Sequence, residues 1–289
     1  MDDIQVIQKE SYPDTLKNMT SRPRKLYYRG AFPAPEGHKY LCVVGSRMWT
    51  AYGRDSITKI ISGLRGYPIS IVSGLAIGID SIAHMAALEA GLHCVAFPGS
   101  SLEWDKIYPQ THLDLARKIV SSGGALVSRW RSDYPMGKWA FPARNTLMAG
   151  LSQATLIVEA GQRSGSLMTA KHAEEYHRDV FAIPGPISSS HSYGPHMLIR
   201  SGAALISSSD DLLQEMGFIV QKRDVKEQVK SIGLDKLSVE VIEIISREEV
   251  SMEALTDKTG ATASELSERI SILELEGLIR SDCGTLKLI

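Results

Sequence analysis

Cysteine is scarce, three in 289 residues, and no two of the three stand close enough to make a CxxC metal or redox pair. Cys42 and Cys94 sit inside apolar, strand-like runs and Cys283 stands alone near the C-terminus, so all three read as reduced thiols without a special role. No apolar run is long enough to span a bilayer. The opening MDDIQVIQKE is acidic and polar and lacks the apolar core of a signal peptide. The expected location is the cytoplasm, with no membrane partner. HExxH, DxDxDG and Cys/His clusters are missing, which argues against a metal site. Also missing are the dinucleotide fingerprint GxGxxG, the P-loop GxxxxGK[ST] and the nucleophile elbow GxSxG. No cofactor, no ATP hydrolysis and no catalytic residue are therefore expected.

What is present suffices for one large domain and a small one: 289 residues, 43% of them hydrophobic. The formal net charge of −1 conceals an asymmetry. Residues 234–289 carry 12 acidic and 6 basic side chains, a net of −6, and the rest of the chain carries +5. A polyanion is attracted to the first part and repelled by the tail.

From residue 39 to 217 one pattern recurs: a short apolar run, a Gly/Ser-rich loop, then helical spacing. YLCVVGSR is apolar on both faces, as a buried parallel strand is. After it Ile57, Ile60, Ile61 and Leu64 share one helix face, closed by Gly66 and Pro68. ISIVSG, HCVAFPGS, ALVSRW, ATLIVEAG and VFAIPG are further strands; IDSIAHMAALEAG and SLMTAKHAEEYHR are helices. The alternation predicts an α/β fold with a Rossmann-like, doubly wound, mainly parallel sheet. Residues 1–38 form a lead-in with a short helix and a strand, packed on the main domain. Residues 218–233 are a charged linker. Residues 234–289 read as helix 238–247, helix 252–258, helix 262–276 and two short strands around DCG, the order of a small winged helix.

In a parallel sheet every strand-to-helix loop opens at the C-terminal edge of the strands. Four such loops are rich in small residues: Gly45–Arg47, then 73–78, 98–100 and 161–166. Small residues let backbone N–H groups approach a ligand, and helix N-termini favour negative charge. Any doubly wound sheet needs glycine in its turns, which is enough to explain one loop. Four together, with Arg47 and Arg163 added, favour phosphate binding. Asp80 and His84, at i and i+4 on one helix, suit an acid/base dyad, although an Asp near a helix start is more often a cap or loop anchor. KWAFPARNTLMAG, residues 138–150, combines cations, an aromatic and an amide. Lys138 and Arg144 suit phosphates while Phe141 or Trp139 suits a base face, a combination fitted to unstacked single strands. The competing reading makes Phe141 core and the charges a solvated turn.

The matching text YPDTLKNMTSRPRKLYYRG, VVGSRMWTAYG, IVSGLAIGIDSIAHMAALEAG, FPARNTLMAGLS, LIVEAGQRSGSLMTA and DVFAIPGPI…GPHMLIRSGA resembles the DprA/Smf family of DNA-processing proteins, over residues 12–213. The resemblance implies a recombination mediator of natural transformation that binds and protects single-stranded DNA, loads the RecA recombinase and dimerises. Carried over residue by residue, it puts DNA binding on Gly45, Ser46, Arg47, Lys138, Phe141, Arg144, Asn145, Ser164, Gly165 and Ser166. It puts the dimer interface near His196, Ile199 and Leu205, against the competing reading that Ile199 and Leu205 are ordinary core. The chain departs from the family pattern at Ile77 and Thr146, where the family usually has Arg, and SRWRSDYP replaces a SEFP-like stretch; Arg129 and Arg131 are candidates to compensate. An alternative from another class is a nucleotide-processing hydrolase releasing bases from nucleoside monophosphates, with Glu159 as its acid, but the PGGxGT stretch of such enzymes is missing. In the tail, the recognition-helix position holds Glu265, Glu268, Glu274 and Glu276 against Arg269, which favours a protein-contact or autoinhibitory role over DNA reading.

Overall fold

The structure, a computed structural model, describes residues 3–131, 137–220, 235–275, 278–282 and 284–288. The continuous apolar runs become strands buried on both faces: β3 (Lys39–Val44), β4 (Ile69–Ser73), β5 (His93–Ala96), β6 (Ala125–Ser128), β7 (Ala154–Ile157) and β8 (Asp179–Ala182). With β1 (Gln5–Gln8), β2 (Lys25–Gly30) and β9 (Ala204–Leu205) they make one nine-stranded sheet in the order β1-β2-β6-β5-β4-β3-β7-β8-β9. Pairing is parallel from β6 through to β9, and β1 and β2 join antiparallel at one edge. The amino-terminal segment thus contributes two strands, where the sequence predicts one, besides the short helix α1 (Asp14–Lys17).

The strand order places the site. From β3 the chain winds outward through β4, β5 and β6, then returns to lay β7 on the other side of β3. A reversal of this kind leaves a crevice outside the carboxyl ends of the two central strands. Helix α2 (Ala51–Ser62) follows β3 and α6 (Gly165–Glu175) follows β7, so their N-termini flank that crevice. Helix α3 (Ile79–Glu89) follows β4, α4 (Leu113–Ser121) precedes β6, and α5 (Ala140–Leu151) precedes β7. Helix α7 (Tyr193–Arg200) leads into the edge strand β9, and α8 (Ser209–Glu215) closes the domain with a Ser208–Asp211 capping box.

The core against the amino-terminal segment joins Tyr12, Leu16, Met19 and Leu26 to Leu147, Met148 and Leu151 of α5. Gly150 has no room for a side chain there: a Cβ would stand 2.2 Å from the Met19 sulfur. Cys42 and Cys94 are buried free thiols, and burial pushes Cys94 up to about 12. Cys283 lies outside the described residues. Among the described residues no helix is long and apolar enough to cross a membrane.

The chain divides into two compact units, Met1–Ile219 and Val220–Ile289. In the second, helices Lys236–Ile245, Met252–Thr259 and Ala263–Leu275 enclose a core of Val241, Ile242, Leu255, Leu266 and Leu273 against a three-stranded sheet. That sheet pairs β11 (Ile279–Asp282) and β12 (Thr285–Leu288) as a hairpin, with β10 (Val250–Ser251) on the other side of β12.

Candidate nucleic-acid interface

An open cavity of about 510 Å³ fills the crevice between β3 and β7. Its walls are the loops after β3, β4, β7 and β8 at the carboxyl edge of the sheet, with the beginnings of α5 and α6. Gly45, Ser46, Arg47 and Met48 come from the loop after β3. Ser46 fixes that loop by a local turn, its Oγ donating to the Met48 carbonyl at 2.8 Å and accepting the Met48 N–H at 3.0 Å. Arg47 is left exposed, its guanidinium 5.7 Å from the centre of the Phe141 ring. The loop after β4 closes against it at Gly78, whose φ of +98° suits glycine and whose absent Cβ would lie 2.4 Å from the Ser46 carbonyl oxygen.

The opposite wall is the N-terminus of α6. Ser164 is its N-cap, accepting the Ser166 N–H and lying 2.7 Å from the Ser166 hydroxyl. Gly165 and Ser166 line the cavity beside the exposed Arg163. Asn145 ties α5 to this turn, donating to the Gly165 carbonyl at 3.5 Å. Orphan N–H groups, hydroxyls and the positive helix end all face one space, which suits an anion.

Beneath the cavity lies a buried ion pair. Arg144 of α5 turns inward, donates from Nη1 to the Phe97 carbonyl at 2.7 Å and stands 4.0 Å from Asp80 Oδ2. Asp80 also receives backbone N–H groups of Ala76 and Gly74. Burial raises its carboxyl above the ordinary range against the opposing pull of Arg144, and burial lowers the Arg144 guanidinium. Gly74 makes the approach feasible, since a Cβ there would be 1.6 Å from Arg144 Nη1. Asp80 is the loop anchor, engaged with Arg144 and the loop after β4. His84, one turn further along α3, is fully buried, and desolvation depresses it to about 3.

Of the residues singled out in the sequence, Gly45, Ser46, Arg47, Phe141, Arg144, Asn145, Ser164, Gly165 and Ser166 all line this cavity. Lys138 is exposed just ahead of α5 and is not among the lining residues. The 98–100 loop packs mostly below Phe141 and contributes Pro98 to a smaller neighbouring slot. Glu159 is buried and turned away: its carboxylate accepts the Thr50 hydroxyl at 2.5 Å and the Thr50 N–H at 3.0 Å, clamping the N-cap of α2. Sequence reasoning missed Met48, Met168, Thr169 and His191 as cavity residues, and Tyr108 at the rim. His196 and Ile199 lie on α7 and Leu205 on β9; His196 bonds the Gly185 carbonyl, Ile199 packs on the core and Leu205 is 48% exposed.

In the winged unit the acids of the third helix are engaged locally. Glu265 caps Thr262, and Glu274 accepts the Ser281 N–H. Arg269 is paired with Asp235 at 2.5 Å and Glu268 at 3.0 Å. Glu276 lies outside the described residues.

Residues 3–217 match the family model of DNA recombination-mediator protein A, and residues 226–284 that of the DprA winged helix domain. Protein Smf of Escherichia coli is 35% identical over 280 residues, 95% of this chain and 74% of that protein. DNA processing protein DprA of Streptococcus pneumoniae is 41% identical over 209 residues, 72% of each chain. The X-ray structure of the Streptococcus pneumoniae DprA superposes with a TM-score of 0.68 at 36% identity, covering 76% of both chains. A Helicobacter pylori DNA processing protein A, whose structure gives insight into its single-stranded DNA binding mode, superposes at 0.65 with 26% identity, covering 74% of this chain and 96% of that one. The two family models together span both units of the chain, and the chain belongs to the DNA recombination-mediator protein A family, the DprA/Smf proteins.

Proposed function

We propose that this chain binds single-stranded DNA in the cavity between β3 and β7, protecting an incoming strand and handing it to the RecA recombinase in the cytoplasm. One observation carries the reading: two exposed guanidiniums, Arg47 and Arg163, the N-terminus of α6 and the half-buried Phe141 ring converge on one open cavity. Cations and helix N–H groups suit phosphates, and an aromatic face suits a base free of a duplex. Among the described residues one acid, Asp80, lines the cavity, and it is paired with Arg144. The solved Helicobacter pylori relative, described for its single-stranded DNA binding mode, supports the same ligand. No catalytic step is needed, and Glu159, the acid a hydrolase would use, is held by Thr50 outside the cavity.

RecA as partner is a proposal that membership of a family of recombination mediators supports. Dimerisation through α7 and β9 is supported by the exposed Leu205 on an edge strand and by the neighbouring exposed Tyr193 and Met197.

A gel-shift series over salt tests the ligand. Wild type retains single strands over duplex of equal length. Arg47→Ala weakens binding and reduces the slope of log affinity against log salt by about 0.7, one phosphate contact on a single strand. Phe141→Ala costs about 1–3 kcal/mol and leaves that slope unchanged. Equal binding of duplex, or an unaltered slope in Arg47→Ala, removes the cavity from DNA binding.

A further inference from the structure

Behind Arg47 a narrow slot of about 30 Å³ adjoins the cavity, and Arg47, Ala76, Phe141 and Arg144 line both. The slot's other walls are Gly74, Ile77, Pro98, Tyr108 and Pro109. The Tyr108 and Phe141 rings meet with centroids 5.6 Å apart and planes tilted by 48°. Tyr108 is 42% exposed and Ile77 is 53% exposed. An apolar, partly aromatic surface open to water beside an anion site is the composition of a base-binding wall. The polar and apolar halves of a nucleotide are joined by one sugar, and here a polar chamber and an apolar slot share four residues.

We propose that the slot receives a nucleobase of the strand whose phosphate occupies the cavity, with Tyr108 as a second stacking residue and Ile77 as the facing wall. The inference rests on the single-strand reading of the cavity. As it stands the slot has room for about one water, so a base enters only when the exposed Tyr108 ring swings away from Phe141. The tilted pair then opens into two faces, one on each side of the incoming ring. Ile77 offers no donor or acceptor to a base edge, so the slot holds any base by its face and reads no sequence.

The experiment compares two oligonucleotides of one length, a single strand and a strand of tetrahydrofuran abasic units that keeps every phosphate. Tyr108→Ala binds the base-bearing strand about 5- to 10-fold more weakly than wild type, as expected for loss of one stacking contact. Its salt slope is that of wild type, and on the abasic strand its affinity equals wild type. Tyr108→Phe, which keeps the ring, recovers the loss. Ile77→Ser, at an exposed loop position, gives an independent check and shows the same base-dependent loss. Wild-type affinity of Tyr108→Ala for the base-bearing strand, or an equal loss on the abasic strand, overturns the proposal. Arg47→Ala separates the two levels: if it weakens binding while Tyr108→Ala does not, the slot alone is wrong; if neither does, the cavity reading falls with it.

Discussion

Arg144 illustrates how one residue can line a binding cavity and still be part of the interior. Its guanidinium holds the end of β5 through Phe97 and the loop after β4 through Asp80, so α5 and two loops share one buried charge pair. Removing one partner of such a pair leaves an uncompensated charge. Asp80→Ala is expected to lower stability by about 3–5 kcal/mol in urea denaturation. Arg144→Met added to it should restore part of the loss, because both charges are then gone. Two additive losses would mean that the pair has no mutual contribution. The sequence marks Arg144 as a cation next to an aromatic in a turn-like segment; it cannot tell which way a helical side chain points when its helix is buried on most sides. For Gly45, Ser46, Ser164 and Ser166 the sequence is a better guide. A loop that must bring its backbone to a ligand tolerates only small residues, and that restriction is written in the residues themselves. Tyr108 lacks such a signature: its place at the rim depends on the path of the long connection from β5 to α4.

Among the elements, the central strands are readable because burial on both faces leaves a continuous apolar run. β9 has two residues, too few for any period, and α4, which the reading of the sequence passes over, follows a loop rich in proline and aromatic side chains. α7 and β9 bear on assembly. Ile199 packs against the core, so Ile199→Glu mixes loss of folding with loss of association. Leu205, exposed on the edge strand, is the cleaner probe. Leu205→Glu is expected to give a folded monomer by light scattering with an unchanged circular dichroism spectrum. A dimer of unchanged size would exclude this edge from the interface.

At the scale of the whole molecule, the charge asymmetry predicts the behaviour of the winged unit. Residues 234–289 carry a net −6, and the cation in the middle of the third helix, Arg269, is neutralised by Asp235 and Glu268. A recognition helix without a free basic face has little to offer a phosphate backbone. A chain ending at residue 219 is therefore expected to hold single strands as well as, or better than, the full chain in the same salt series. A folded truncated protein that loses most of its DNA binding would show the winged unit to be a DNA contact. The amino-terminal segment has the opposite character. Met19 fits where Gly150 has no side chain, and α5 carries Phe141, Arg144 and Asn145 at its other end. The helix therefore works as a lever with its fulcrum at Met19: an affinity tag or truncation that disturbs Met19 is expected to be felt at the proposed DNA cavity, at the helix's other end.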